Sequence, residues 1–291
     1  MEGTIIKGVG GLYYVKTEDK IVNCKVRGKF RFKEKTPMVG DKVTISLEDN
    51  KEDEGVIEEI HERVSELIRP VVANVTQAFV FFTLKSPDLN LDLLFKFLVL
   101  CEYNHLRSII CFNKMDLVKD EDKEVVAMLE SIGYEVIKIT AKEGKGIDEL
   151  KNKIKDNISV FCGPSGVGKS TTLNAMVGRE LMETGDISKK LQRGKHTTRH
   201  SELIEYEGGY LVDTPGFSSL DINFIDKLDL KKYFPEFKKY EDLCKFNDCM
   251  HNKEPKCAVK EAIDKKEIDR QRYEFYIKTL EELLSGRNKK W

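Results

Sequence analysis

Residues 158 to 175 read I-S-V-F-C-G-P-S-G-V-G-K-S-T-T-L-N-A. An apolar strand runs into a glycine-rich loop and then into a helical pattern. Few features constrain a fold more tightly. Gly163-Pro164-Ser165-Gly166-Val167-Gly168-Lys169-Ser170 fits GxxxxGK[ST], a loop that works between a buried parallel strand and a helix N-terminus. Its glycines let the backbone close on a phosphate, with N–H groups and the positive end of the helix facing the anion. Lys169 is then placed for β and γ phosphates and Ser170 for Mg²⁺, with Thr171 beside them.

The surrounding pattern agrees. From Val71 to about Leu220, strand-like runs such as Q-A-F-V-F-F-T-L, R-S-I-I-C-F-N and Y-E-V-I-K-I-T alternate with helical stretches near 91–103, 121–131 and 147–157. This alternation predicts a mainly parallel sheet with helices on both faces. Residues 1 to 70 instead carry short alternating runs punctuated by glycine and predict a small all-β barrel or sandwich. Beyond Asp221 the chain is charged and mostly helical, with Ile263, Ile268, Tyr273, Ile277, Leu280 and Leu284 at roughly helical spacing. The expected fold class is multidomain α/β, divided 1–70, 71–220 and 221–291.

A phosphate loop alone does not choose a base. Asn113-Lys114-Met115-Asp116 fits NKxD at the end of an apolar strand, where ligands sit in open α/β sheets. The Asp116 carboxylate can accept from guanine N1–H and the 2-amino group, and adenine has neither donor there. A site whose acceptors go unpaired with the wrong base discriminates strongly. This weighs against a kinase or ATPase. Thr140-Ala141-Lys142 closes another strand and resembles the loop that backs guanine in GTPases. Asp213-Thr214-Pro215-Gly216 fits DxxG, placing Asp213 to reach Mg²⁺ through water and the Gly216 N–H to meet a γ-phosphate. Between them G-K-H-T-T-R-H supplies Thr197 and Thr198, either of which could sense Mg²⁺ and γ-phosphate.

All five elements are present, but the base loop comes first and the phosphate loop third. That order is a circular permutation, tolerable because domain termini often lie close together. It makes DxxG lead directly into the C-terminal segment, so a γ-phosphate-driven movement there could pass straight to another domain.

The seven cysteines divide unevenly. Cys24, Cys101, Cys111 and Cys162 lie in apolar stretches and suit buried small hydrophobes. Cys244, Cys249, His251 and Cys257 form CxxxxCxHxxxxxC, a set that would close a tetrahedral Zn²⁺ site with no position left for substrate. Such a site supplies folding energy rather than catalysis.

With N-K-M-D, G-P-S-G-V-G-K-S-T, G-K-H-T-T-R-H, D-T-P-G-F, F-P-E-F and the cysteine motif in this order, nearly the whole chain resembles the circularly permuted GTPases of ribosome biogenesis, in particular those that depend on the small ribosomal subunit. The resemblance implies an N-terminal OB-fold, a central GTPase domain using GTP/GDP and Mg²⁺, and a C-terminal domain with one structural Zn²⁺. It also implies action late in maturation of the 30S subunit, on 16S rRNA, with activity stimulated by that particle and release after hydrolysis.

A formal net charge of −1 gives no overall sign of a nucleic-acid partner, so the distribution of charge matters more. Lys25, Arg27, Lys29, Arg31, Lys33 and Lys35 occur at every second position. As a strand they would share one face and follow an RNA backbone, as OB-folds commonly do. Phe30 and Phe32 would point to the core. Apolar residues at 40% and charged at 34% exclude disorder as the main state. No apolar run reaches the roughly 20 residues of a membrane span, and M-E-G-T-I-I-K lacks a signal-peptide pattern. A cytoplasmic monomer that touches no membrane is expected.

Catalysis is the least explicit part. GTPases commonly place Gln after DxxG to orient water, but Phe217 stands there. Slow intrinsic turnover is expected, and His196 is the internal candidate to orient water or transition-state charge, with His200 a weaker one. His61 and His105 read as structural. The competing reading outside catalysis is an RNA-binding scaffold that uses GTP mainly for stability.

Overall fold

A computed structural model of the chain describes residues 1–27, 36–48, 51, 53–68, 70–119, 124–183, 201–212 and 221–285. Alternation in the first segment produces five strands, β1 (Glu2–Val9), β2 (Leu12–Lys16), β3 (Ile21–Val26), β4 (Lys42–Leu47) and β5 (Glu54–Ile60). They close into a barrel in the order β1-β2-β3-β5-β4, with β4 returning to pair with β1. Inward positions Ile5, Val15, Val22, Cys24, Val43, Ile45 and Ile57 are all buried. Gly10 and Gly11, both at positive φ, make the two-residue turn between β1 and β2, the backbone shape that matches strand twist in a hairpin.

A short hairpin of β6 (Glu66–Ile68) and β7 (Val71–Ala73) follows. Arg63 locks its approach to the barrel, reaching the fully buried Asp41 carboxylate at 2.7 and 2.9 Å and the Thr36 carbonyl at 2.7 Å.

The central sheet has the order β10-β9-β8-β11-β13-β12. Its strands are β8 (Gln77–Thr83), β9 (Arg107–Asn113), β10 (Glu135–Lys138), β11 (Ile158–Cys162), β12 (Leu203–Tyr206) and β13 (Gly209–Val212). All neighbours run parallel except the β12–β13 pair. Every residue of β8 and β11 is buried, as expected for parallel strands covered on both faces. The covering helices are α1 (Leu91–Tyr103), α2 (Glu124–Ile132), α3 (Ile147–Asn152) and α4 (Lys169–Glu183). The Asn90 side chain caps α1 by accepting from the Leu93 N–H at 3.0 Å. The helix expected over 147–157 stops at Asn152, and the chain turns through Asp156 at positive φ.

The topology fixes where a ligand can sit. From β8 the chain proceeds outward through β9 to β10, then returns to β11 on the other side of β8. Loops leaving β8 and β11 therefore diverge, and the crevice at their carboxyl ends is the switch point where such sheets bind ligands.

The C-terminal segment contains short 3₁₀ turns and two helices, α5 (Ala258–Asp264) and α6 (Arg270–Ser285). The helical spacing from Ile263 to Leu284 thus spans a break at 265–269, where Lys266 takes positive φ and the Asp269 carboxylate accepts from the Arg272 N–H at 3.1 Å. Arg272 is completely buried. Its guanidinium stacks on Phe95 of α1 and on Phe234, and it pairs with Glu236 at 2.8 Å. This pins the C-terminal segment to the central sheet's first helix.

Candidate nucleotide and metal sites

The phosphate loop leaves β11 and enters α4 at Lys169, as its strand-loop-helix pattern requires. Two of its glycines are enforced by space. A Cβ at Gly163 (φ +130°) would lie 2.1 Å from the Phe81 carbonyl oxygen, and one at Gly168 (φ +92°) would lie 2.3 Å from Asn113 Nδ2. Val167 is buried, anchoring the loop, while Ser165 and Gly166 are exposed and Pro164 is half-buried. Lys169 is half-buried, and its ammonium donates to the carbonyls of Gly163 at 2.8 Å and Pro164 at 2.7 Å. Burial draws its pKa below the ordinary lysine value. Ser170 and Thr171 are exposed in the first turn of α4, where the N–H groups still lack helical partners.

NKxD begins at the last residue of β9. Asn113 is 2% exposed, and its amide joins three loops: Nδ2 donates to the Val167 carbonyl at 3.0 Å and Oδ1 accepts from the Ala141 N–H at 3.2 Å. Lys114, in the left-handed region, donates to the carbonyls of Gly166, at 2.9 Å, and Ser86. Met115 opens a 3₁₀ turn that leaves the Asp116 carboxylate exposed. Thr140 and Ala141 are buried behind it, and Lys142 is exposed. Base loop, backing loop and phosphate loop are thus one hydrogen-bonded assembly at the sheet's switch point. Ser86, in the loop after β8, was not legible in the sequence because it contributes only a backbone carbonyl. His196, Thr197, Thr198, His200, Asp213, Gly216 and Phe217 lie outside the described residues.

A second assembly lies in the C-terminal segment. The Sγ and ring-nitrogen atoms of Cys244, Cys249, His251 and Cys257 all fall within 4.8 Å of one another. His251 Nδ1 is 3.6 Å from Cys244 Sγ and 3.4 Å from Cys257 Sγ, and these two sulfurs are 3.9 Å apart. A tetrahedral metal with sulfur at about 2.3 Å has sulfur–sulfur edges of about 3.8 Å, so the donor set fits a metal. Burial pushes the Cys249 thiol up to about 12 and holds the His251 imidazole neutral, with its pKa down at about 4. Tyr273 and Tyr276 of α6 donate to the carbonyls of His251 at 2.7 Å and Met250 at 2.6 Å, while Glu254 accepts from the N–H groups of Met250 and Asn252. Tyr273 was visible in the sequence only as one apolar position of a helical stripe.

The basic stripe is only partly described. Lys25 is exposed on β3, which ends at Val26, and Arg27 just beyond it pairs with Glu58 of β5. The neighbouring strand thus brings an acid to this region. Lys29, Arg31, Lys33 and Lys35, with Phe30 and Phe32, lie outside the described residues. His61 Nε2 lies 2.9 Å from the Thr44 hydroxyl of β4, and His105 takes positive φ after α1. Among the described residues no helix is long and apolar enough to cross a membrane.

Comparison with known proteins places these sites in a family context. A model of the RsgA GTPase matches residues 60–223, and one of the RsgA N-terminal domain matches residues 2–57. Relatives from Clostridium perfringens strain SM101 and Clostridium novyi strain NT, both named small ribosomal subunit biogenesis GTPase RsgA, are 62% and 60% identical. The alignments cover 99% of both chains in the first case and 100% of both in the second. Among solved structures, YloQ, a circularly permuted GTPase, superposes with a TM-score of 0.83 at 38% identity over 100% of this chain and 96% of that one. YjeQ from Thermotoga maritima gives 0.84 at 40% identity, covering 97% of this chain and 98% of that one.

Proposed function

The chain belongs to the RsgA GTPase family, and from that membership we propose that it binds the immature small (30S) ribosomal subunit, hydrolyses GTP as a late maturation checkpoint and leaves after hydrolysis. The observation that carries the nucleotide half of this reading is the Asn113 amide, which holds the base loop against the phosphate loop and the backing loop at once. The ribosomal half is supported by relatives of nearly the same length whose names carry small-subunit biogenesis.

Residues 71–220 form the GTPase unit in this reading, between an RNA-binding barrel at 1–70 and a zinc-bearing segment at 221–291. Asp116, exposed at the mouth, accepts from guanine N1–H and the 2-amino group. Thr140, Ala141 and Lys142 back the base. The backbone from Gly163 to Gly168 wraps the phosphates, and the Lys169 ammonium exchanges its loop carbonyls for phosphate oxygens. Ser170, at the open first turn of α4, would hold Mg²⁺, whose charge neutralises what builds on those oxygens in phosphoryl transfer. Thr197 or Thr198 senses the same metal and the γ-phosphate, with Asp213 acting through water and Gly216 donating its N–H. Because Phe217 cannot orient water, turnover is slow until His196 or the partner completes the site.

Cys244, Cys249, His251 and Cys257 hold one structural Zn²⁺, because four protein donors leave no position for substrate. The partner surface is 16S rRNA, reached in part through Lys25, Arg27, Lys29, Arg31, Lys33 and Lys35. The protein acts as a cytoplasmic monomer. Co-sedimentation tests the reading: binding to 30S particles with a non-hydrolysable GTP analogue and release with GDP is expected. Equal binding to 50S particles would contradict it.

A further inference from the structure

Beside the central sheet, the barrel strand β1 meets the chain just before the edge strand β12 through an isolated antiparallel backbone bridge between Lys7 and Glu202. Two ion pairs accompany it, Lys7 Nζ to Glu202 at 3.1 Å and Lys16 Nζ to Glu205 at 3.3 Å. Tyr14 of β2 is the cross-strand partner of Lys7, whose ammonium lies 6.0 Å from the ring centroid. Lys16 is two residues further along β2, on the same side as Tyr14 and roughly 7 Å away along the strand. One outward stretch of the barrel therefore presents a ring between two ammonium groups.

A ring flanked by cations is the chemistry that takes single-stranded RNA, with a base on the ring and phosphates on the cations. Here two carboxylates stand where phosphates would stand. The Lys16–Glu205 hold is weak, because Lys16 retains 29% and Glu205 58% exposure and exposed ion pairs contribute little; Glu202, at 17% exposure against 37% for Lys7, is the more buried carboxylate. A phosphate can replace the Glu205 carboxylate without burying an unpaired charge, whereas at Lys7 it must also turn the Glu202 carboxylate out toward water.

We propose that Lys7, Tyr14 and Lys16 form an RNA subsite covered by Glu202 and Glu205, so that RNA and these glutamates compete for the same two lysines. The inference rests on the ribosomal-RNA reading above. It adds a chain-level link between RNA capture and nucleotide sensing, because Glu202 follows the G-K-H-T-T-R-H segment by only one intervening residue.

The test is fluorescence anisotropy of a short unstructured labelled RNA with the full-length protein in GDP, over a range of salt. Replacing both glutamates (E202Q with E205Q) should tighten RNA binding roughly fivefold, the worth of the two ion pairs. Replacing both lysines (K7Q with K16Q) should weaken it and reduce the salt slope by about 1.4, two single-strand phosphate contacts. Y14L leaves both ion pairs in place, and should weaken binding with the salt slope unchanged. RNA binding by E202Q/E205Q equal to wild type, or a K7Q/K16Q salt slope equal to wild type, would overturn the subsite, and so would wild-type affinity in Y14L. If wild-type protein fails to bind 30S particles, the proposed function itself falls. If it binds them and all three variants match wild type on RNA, only this subsite falls.

Discussion

Asn113 Nδ2 donates to the Val167 carbonyl at 3.0 Å, tying the end of β9 to the loop after β11, two segments that stand in permuted order along the chain. The same side chain accepts from Ala141 at 3.2 Å. Asn113→Ala would therefore leave a buried carbonyl and a buried N–H without their partner, at about 1–3 kcal/mol each. GDP affinity should fall at least tenfold, as read by fluorescent-nucleotide titration. Affinity within twofold of wild type would show that the brace does not shape the pocket.

Gly168 faces that amide. A methyl group there would lie 2.3 Å from Asn113 Nδ2 on a backbone at φ +92°. Gly168→Ala must displace either the loop or the Asn113 side chain, and it should remove measurable GTP binding while leaving the far-UV circular dichroism near wild type. Retained GTP affinity would mean that the loop accommodates a Cβ.

The C-terminal cluster predicts a metal-dependent fold. Cys249→Ala should abolish stoichiometric zinc and lower the melting temperature by roughly 5–10 °C, a few kcal/mol in a chain of this size. Inductively coupled plasma mass spectrometry with thermal melting reads both quantities. One zinc per chain in the variant would break the proposed ligand set.

Arg272 tests how the C-terminal segment is held. It is fully buried and paired with Glu236 at 2.8 Å, so Arg272→Met leaves a buried carboxylate unpaired and should cost about 3–5 kcal/mol in denaturant unfolding. Changing Glu236→Leu as well should recover most of the loss, because a buried ion pair replaced by apolar groups is often neutral. A double variant as unstable as the single one would mean that stacking of Arg272 on Phe95 and Phe234 dominates.

Much of this was legible beforehand. The helix over Leu91–Tyr103, the permuted order of loops and the clustering of Cys244, Cys249, His251 and Cys257 all follow from periodicity and motif spacing, because those patterns record which side chains must share a face or a centre. Contacts made by backbone atoms were not legible. The Ser86 carbonyl that receives Lys114 leaves no residue-type signal. The break before α6 carries no Gly or Pro, and its one trace in the sequence is the five-residue step from Ile263 to Ile268, out of phase with the three- and four-residue steps from Tyr273 to Leu284. Lys7, Lys16, Glu202 and Glu205 belong to no sequence motif, and only the fold brings them together.

GTP turnover by the full-length protein, measured alone, with purified 30S particles and with 50S particles, tests the central claim most directly. Slow turnover alone, rising at least tenfold with 30S but not with 50S, is predicted by Phe217 at the usual water-positioning site and a partner that completes it. No stimulation by 30S, or equal stimulation by 50S, would contradict the small-subunit checkpoint.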